Sequence, residues 1–332
     1  MTLRTKTISA AAALAMLAGA TAAKAEITIA YFLEWPMPFQ YAKVKGWYDE
    51  ALGTKVNWRA FDTGTAMSAA MASGDVQLSV SQGVPPFVVA VSAGQDLQIV
   101  DVAVSYSDND NCVVAEALEI DKTNAKELEG KKVAAPMGTA AHYGFLKQMN
   151  HFGVDISTMD VVNMAPPEGA AALAQGAVDL FCGYGGSVRR AMEYGNVLLT
   201  GQEKEDLGIL VFDVTSGPAD YIAENPDVVA EFLAVTAKAN AMWADPANRD
   251  EMLPVLAKDS GMDLEATAAM IEVFVFPPVD EQLTGKWLGG GAQDFMKGVA
   301  DVFVEAGSID AALDTYESNV NIGPLQAVAN SM

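Results

Sequence analysis

The hydrophobic rhythm of this chain changes once, near Asn225. Before it, short runs rich in β-branched and aromatic residues alternate with stretches whose apolar positions recur every three or four residues; after it only the helical period remains. The first pattern predicts strands at Ile27–Leu33, Val56–Phe61, Val76–Val80, Leu97–Val104, Cys112–Leu118, Lys132–Ala135, Asp160–Met164, Val178–Cys182, Val197–Leu199 and Ile209–Asp213. Between them, helices are predicted at Phe39–Lys45, Thr65–Ser73, Pro86–Ala93, Ala140–His151, Ala170–Gln175 and Val188–Tyr194. Such alternation points to an α/β fold with mainly parallel sheets. In the tail, Asn225-Pro226 reads as an N-cap followed by proline at the first helical position, opening a run to Trp243. Further helices are predicted at Arg249–Lys258, Leu264–Phe274, Gln293–Glu305 and Ile309–Leu313.

One unit is written twice: a strand end, a loop of small residues, a short Ala-rich helix, a glycine stop and another strand. The first copy starts at Phe61-Asp62-Thr63-Gly64-Thr65 and reaches Gly74-Asp75-Val76; the second starts at Val162-Asn163-Met164-Ala165-Pro166 and reaches Gly176-Ala177-Val178. Each copy aims a helix N-terminus, with its free N–H groups, beyond the strand ends. Two copies predict two lobes facing each other across a cleft. The strand-poor tail is expected to complete the first lobe, which gives 26–109 and 214–332 for lobe one and 110–213 for lobe two. The hinge crossings then fall near Ser107–Asn111 and Phe212–Gly217, both polar or glycine-containing breaks.

Composition adds an address and removes some partners. Arg4 and Lys6, the apolar stretch Ile8–Ala22 and the small residues Ala23-Lys24-Ala25 read as a signal peptide over residues 1–25, so the mature chain is expected to start near Glu26 and to be periplasmic. With 20 Lys and Arg against 43 Asp and Glu, the chain carries a formal net charge of −23, which argues against nucleic acid or an anionic membrane surface as partner. Cys112 and Cys182 are open to two readings, a disulfide or two buried thiols. His142 and His151 stand at no recognised metal-ligand spacing, so neither metal nor cofactor is expected.

In open α/β sheets the loops beyond the carboxyl ends of the strands carry the chemistry. Glu34 and Trp35 sit side by side in a proline-stiffened loop after the first strand. Thr63, Gly64 and Thr65 open one helix, Gln82 and Gly83 precede another, and Thr139 and Ala140, next to Gly138 and before Tyr143, open a third. Together they offer anion-holding helix starts. Asp213, at a strand end, supplies the opposite pole for a cation, and Tyr31, Trp35, Tyr106, Tyr143 and Tyr184 offer ring faces to it. No nucleophile elbow, phosphate loop, dinucleotide fingerprint or zinc-type histidine pair is present, so no catalytic residue is nominated and binding without turnover is expected.

The runs Val56–Gly64 and Ala72–Gln77, the stretch Gly130–Pro136 and the segment Thr139–Tyr143 resemble periplasmic taurine-binding proteins of ATP-driven importers, within the wider nitrate, sulfonate and thiamine-precursor binding group. The resemblance runs from about Ile27 to Val229. It implies a two-lobed periplasmic-binding-protein fold of type II, a monomer that captures a small zwitterion such as taurine, and an ABC permease of the inner membrane as partner. It also implies that the sulfonate is held at Thr63–Ala66, Gln82–Val84 and Thr139–Ala141, and the amine by Asp213. The chain departs from the family at Phe32-Leu33-Glu34-Trp35, at Gln82-Gly83-Val84, and at Tyr184 where a tryptophan is usual. These departures leave an alternative, a quaternary ammonium or sulfonium zwitterion such as a betaine or dimethylsulfoniopropionate in an aromatic cage. The same fold group includes an enzyme class that makes the thiamine pyrimidine; two histidines and two separated cysteines lack its equipment.

Overall fold

The computed structural model describes residues 26–209 and 211–332, so the expected leader lies outside the described residues. Ten strands are found among them: β1 (Ile27–Phe32), β2 (Val56–Phe61), β3 (Leu78–Gly83), β4 (Leu97–Tyr106), β5 (Asp110–Ala115), β6 (Lys132–Ala135), β7 (Asp160–Asn163), β8 (Leu180–Tyr184), β9 (Gly195–Val197) and β10 (Val211–Pro218). They form two five-stranded sheets of matching order, β2-β1-β3-β10-β4 and β7-β6-β8-β5-β9. In each, three strands run parallel and the fourth position is antiparallel to its neighbours: β10 against β3 and β4, β5 against β8 and β9. This is an α/β fold of two lobes.

The repeat occupies equivalent places in the two sheets. Helix Gly64–Ala72 joins β2 to β3, and helix Pro166–Ala174 joins β7 to β8. The first copy is capped by Thr63, whose hydroxyl accepts from the Ala66 N–H. The second opens on Pro166-Pro167, which lack N–H groups, so its start has fewer donors to offer than the first. Both stop at a left-handed glycine, Gly74 at φ 79° and Gly176 at φ 67°.

The first crossing is residues 107–109, with Asp110 and Asn111 already in β5. The second falls earlier than Phe212–Gly217. Those residues are a central strand of the first sheet, laddered to β3 and β4, so residues 211–213 sit with the first lobe and not the second. Thr215 and Ser216 give the segment its loop-like polarity, but both are buried with partners: Thr215 donates to Asp101 Oδ2 (3.2 Å) and Ser216 to Gln82 Oε1 (2.7 Å).

The tail is helical, and most of it packs on the first lobe. Helix Pro226–Ala244 lays Phe232 against Tyr48 (centroids 4.7 Å apart), and its Thr236 hydroxyl lies 2.8 Å from the Tyr48 hydroxyl. Helix Gly291–Glu305 reaches both lobes, because Phe303 stacks on His142 and Phe295 meets Tyr143 and Phe212. The expected helix at Ile309–Leu313 is absent: the segment follows Gly307 at φ 66° as bends, too short a run to nucleate a helix alone. In the second sheet Cys112 and Cys182 stand directly opposite on β5 and β8 and are joined by a disulfide.

Candidate functional site

The carboxyl ends of β1, β3, β4 and β8 converge with the start of β10 on a partly open cavity of about 20 Å³ between the lobes. A single water needs roughly 10–15 Å³ of such space, so a larger ligand requires these walls to move apart. Asp213 forms one wall, 2% exposed. Its Oδ2 accepts from the Ser81 hydroxyl (2.6 Å) and its Oδ1 from the Tyr106 hydroxyl (2.8 Å). Ser81 in turn accepts from Trp35 Nε1 (2.9 Å). An indole N–H only donates, so the Ser81 proton is directed at Asp213 and the relay favours the carboxylate over the acid. One lone-pair direction on each carboxylate oxygen remains for a ligand.

Burial works against that charge. It raises the Asp213 carboxyl to about 7, with the Ser81 and Tyr106 hydroxyls pulling down and the nearby Asp110 pushing up. Asp110, at the hinge, is also raised to about 7 by burial, opposed by Lys204, and its Oδ2 has no hydrogen-bond partner. The buried Lys204 ammonium donates to the carbonyls of Ser107 (2.5 Å) and Asp110, clamping both ends of the first crossing. The Tyr106 and Tyr184 hydroxyls are held well above the ordinary tyrosine range, first by burial and then by these acids, so both stay protonated.

Facing Asp213 is the start of helix Ala140–Phe152. Its N-cap residue Thr139 turns its hydroxyl to the Pro136 carbonyl (2.6 Å), so no side chain caps the helix and its first N–H groups have no partner of their own helix. A Cβ built on Gly83 would lie 3.5 Å from Asp213 Oδ1 and 3.6 Å from Ala140 Cβ, so acid and helix start flank one point. Gly83→Ala should therefore fold normally, since those distances and 3.4 Å to Pro86 are ordinary contacts, yet fill the gap between the two poles. The expected result is unchanged thermal unfolding with ligand affinity reduced at least tenfold, read by titration calorimetry.

Of the residues nominated from sequence, Trp35, Gly64, Gly83, Tyr106, Thr139, Ala140, Tyr184 and Asp213 line this cavity, joined by Phe32 and Pro86. The others stand elsewhere. Gln82 is fully buried and spends its amide on the Gly64 carbonyl (2.8 Å) and Ser68 hydroxyl (2.6 Å), so it positions the helix start rather than offering donors to a ligand. Thr63 caps its own helix, and Thr65 packs across the cleft near Gly138. Tyr143 turns to Phe295 and Phe303, and Tyr31 is packed among Phe39, Trp58 and the Lys43 ammonium in the first lobe. Glu34 points its carboxylate at Arg190 instead of the cavity. Helix Val84–Ser92 carries Pro85 and Pro86 at its start and so presents fewer N–H groups than its loop sequence promised. Ser81 opens the candidate loop Ser81-Gln82-Gly83-Val84 but is not among the nominated site residues: its φ of 65°, left-handed for a non-glycine residue, has no sequence signature.

Comparison with known proteins follows this geometry. The chain is 27% identical over 300 residues to the taurine-binding periplasmic protein of Escherichia coli (strain K12), covering 89% of this chain and 91% of that one. Among solved structures it is similar to the periplasmic aliphatic sulphonate binding protein SsuA from Escherichia coli (TM-score 0.71, 22% identity, 89% of this chain and 92% of that one). It is also similar to the alkanesulfonate-binding protein SsuA from Xanthomonas axonopodis pv. citri bound to MOPS (TM-score 0.75, 19% identity, 90% and 98%). A third similar structure is the periplasmic nitrate-binding protein NrtA from Synechocystis PCC 6803 (TM-score 0.71, 15% identity, 92% and 89%). These likenesses show the periplasmic-binding-protein fold. The family model described as NMT1/THI5 like matches residues 36–249, and with that match over most of its length the chain belongs to the NMT1/THI5-like family.

Proposed function

We propose that this protein is the periplasmic substrate-binding component of an ABC importer and that it takes a small zwitterion with a primary ammonium at one end and a sulfonate or similar anion at the other, taurine being the simplest case. The observation that carries the reading is the pairing of two poles in one small cavity: the buried Asp213 carboxylate on one side and the uncapped start of helix Ala140–Phe152 on the other. The ammonium docks on the free lone pairs of Asp213 and the anion on the N–H groups at Ala140 and Ala141, where the helix dipole adds roughly half a positive charge. Phe32, Trp35 and Tyr184 enclose the methylenes between. The likeness to a taurine-binding periplasmic protein supports the transport reading over a catalytic one. His142 does not line the cavity: it is buried, accepts from the Gly138 N–H and is held neutral, its pKa lowered to about 4 by burial.

Binding should be linked to protons. An ammonium needs the Asp213 carboxylate, whereas in the empty cavity burial holds that carboxyl near 7. Below pH 7 the ligand must displace a proton, so affinity falls by up to tenfold per pH unit, roughly fiftyfold between pH 7 and pH 5. The sign for stability is the reverse of the usual carboxylate. The folded value is raised above the unfolded 3.8, so this group stabilises the empty protein below about pH 4, and that contribution is lost as pH rises through 7. Calorimetric titration with taurine in buffers of different ionisation enthalpy tests the reading. Proton release near pH 7 supports it, and no heat with taurine or related aminosulfonates at pH 8 would refute it.

A further inference from the structure

The inner cavity is not the whole cleft. Phe32, Trp35 and Tyr184 also line an outer chamber of about 260 Å³, whose remaining walls include Glu34, Arg190, Asp62 and Ser260. At the rim between the lobes, Glu34 of the first lobe and Arg190 of the second form a two-pronged ion pair, Nη1 to Oε1 at 2.6 Å and Nη2 to Oε2 at 3.0 Å. The backbone around the pair is built to allow it. Glu34 holds a left-handed φ of 53°, a conformation that glycine would adopt with less strain but without a carboxylate to offer. Its N–H is anchored to the Ser260 carbonyl (2.8 Å), and its carbonyl is approached by the Gly186 N–H (3.4 Å). Across the rim, a Cβ on Gly185 would meet the Glu34 carbonyl at 2.8 Å, and one on Gly186 would meet Glu34 Oε2 at 2.9 Å. The Gly185 contact is with backbone, at a φ of 63°, so glycine there lets the second lobe come this close. Beside the pair, the Tyr184 hydroxyl donates across the cleft to the Asp62 carbonyl (2.8 Å).

We infer that Glu34 and Arg190 are an interlobe clasp, seated on Gly185-Gly186, that holds the cleft shut and governs how long it stays shut rather than which ligand it holds. The paired atoms lie on opposite lobes, so the clasp exists only in the closed form and its whole interaction energy biases closure. Half-exposed pairs of this kind are worth little in absolute terms, yet a two-pronged guanidinium–carboxylate contact at a hinge mouth acts on a balance between two forms where a small bias is visible. The inference needs only the two-lobed fold, not the identity of the ligand.

The test is run without ligand, so its failure is distinct from failure of the ligand assignment. Spin labels on Ala72→Cys and Ala174→Cys, exposed positions at the ends of the two repeat helices, report the separation of the lobes by pulsed electron resonance. The closed-to-open ratio should fall about two- to fivefold in Glu34→Gln and in Arg190→Ala. The double variant should be no worse than either single, and the exchange Glu34→Arg with Arg190→Glu should recover part of the ratio. Raising salt to 0.5 M should lower the ratio in the parent and leave the single variants unmoved. An unchanged closed share in both single variants, or single-variant effects that simply add in the double, overturns the clasp.

Discussion

Asp213→Asn should abolish tight binding of an ammonium zwitterion, weakening it by two to three orders of magnitude at pH 8, without lowering the stability of the empty protein. Truncating one partner of a buried, hydrogen-bonded charge pair costs roughly 2–5 kcal/mol of binding. Here the partner left behind is a ligand ammonium inside a cavity walled by Phe32, Trp35, Tyr106 and Tyr184, with no second acceptor of full charge on its lining. Stability behaves differently because the native carboxylate is itself a burden. Burial raises its carboxyl to about 7, so at pH 8 ionised Asp213 opposes folding, and a neutral amide of the same shape removes that opposition. Its cost is one mismatched contact, since an amide presents a single oxygen to the two donors Ser81 and Tyr106. Paired calorimetric titration and thermal unfolding separate these effects: lost binding with an unfolding midpoint at or above the parent's is expected. The pH dependence of affinity should also flatten in this variant.

The second large effect concerns the disulfide. Replacing Cys112 and Cys182 together by alanine should destabilise the protein by about 4 kcal/mol, the loop-closure value for a cross-link spanning 70 residues. The bond ties β5 to β8 two residues from Asp110 on one strand and two from Tyr184 on the other, a pair that faces across the same ladder. Its loss therefore loosens the second lobe's side of the cavity as well as its core. Thermal unfolding of the parent with and without a strong reductant, against the double variant, measures this. The reduced parent should match the variant, and the variant should be indifferent to reductant.

The fold was legible because its signals are local. Strand and helix periods, the N-cap at Thr63, the glycine stops at Gly74 and Gly176 and the prolines at Pro166-Pro167 each act within a few residues. The twice-written unit even foretold the equivalence of β2–β3 with β7–β8. The cavity lining was legible where strand ends and helix starts converge by topology, as at Gly64, Gly83, Thr139 and Asp213. What escaped depends on partners far along the chain. Glu34 finds Arg190 156 residues away, Tyr143 is drawn off by Phe295 and Phe303 of the tail, and Cys112 meets Cys182 only once β5 inserts next to β8. Buried polarity misled most. Thr215 and Ser216 read as a hinge because their hydroxyls, satisfied by Asp101 and Gln82 inside the sheet, look in sequence like those of a loop.

The most direct measurement is a calorimetric comparison of taurine with its N,N,N-trimethyl derivative on the protein at pH 8. The two ligands share the sulfonate for the helix start at Ala140; they differ in whether the cationic end can donate to Asp213. Taurine binding at least a hundredfold more tightly than the trimethyl compound, with the difference erased by Asp213→Asn, is the predicted result. Equal or tighter binding of the trimethyl compound, or a preference for taurine that survives Asp213→Asn, would contradict the account.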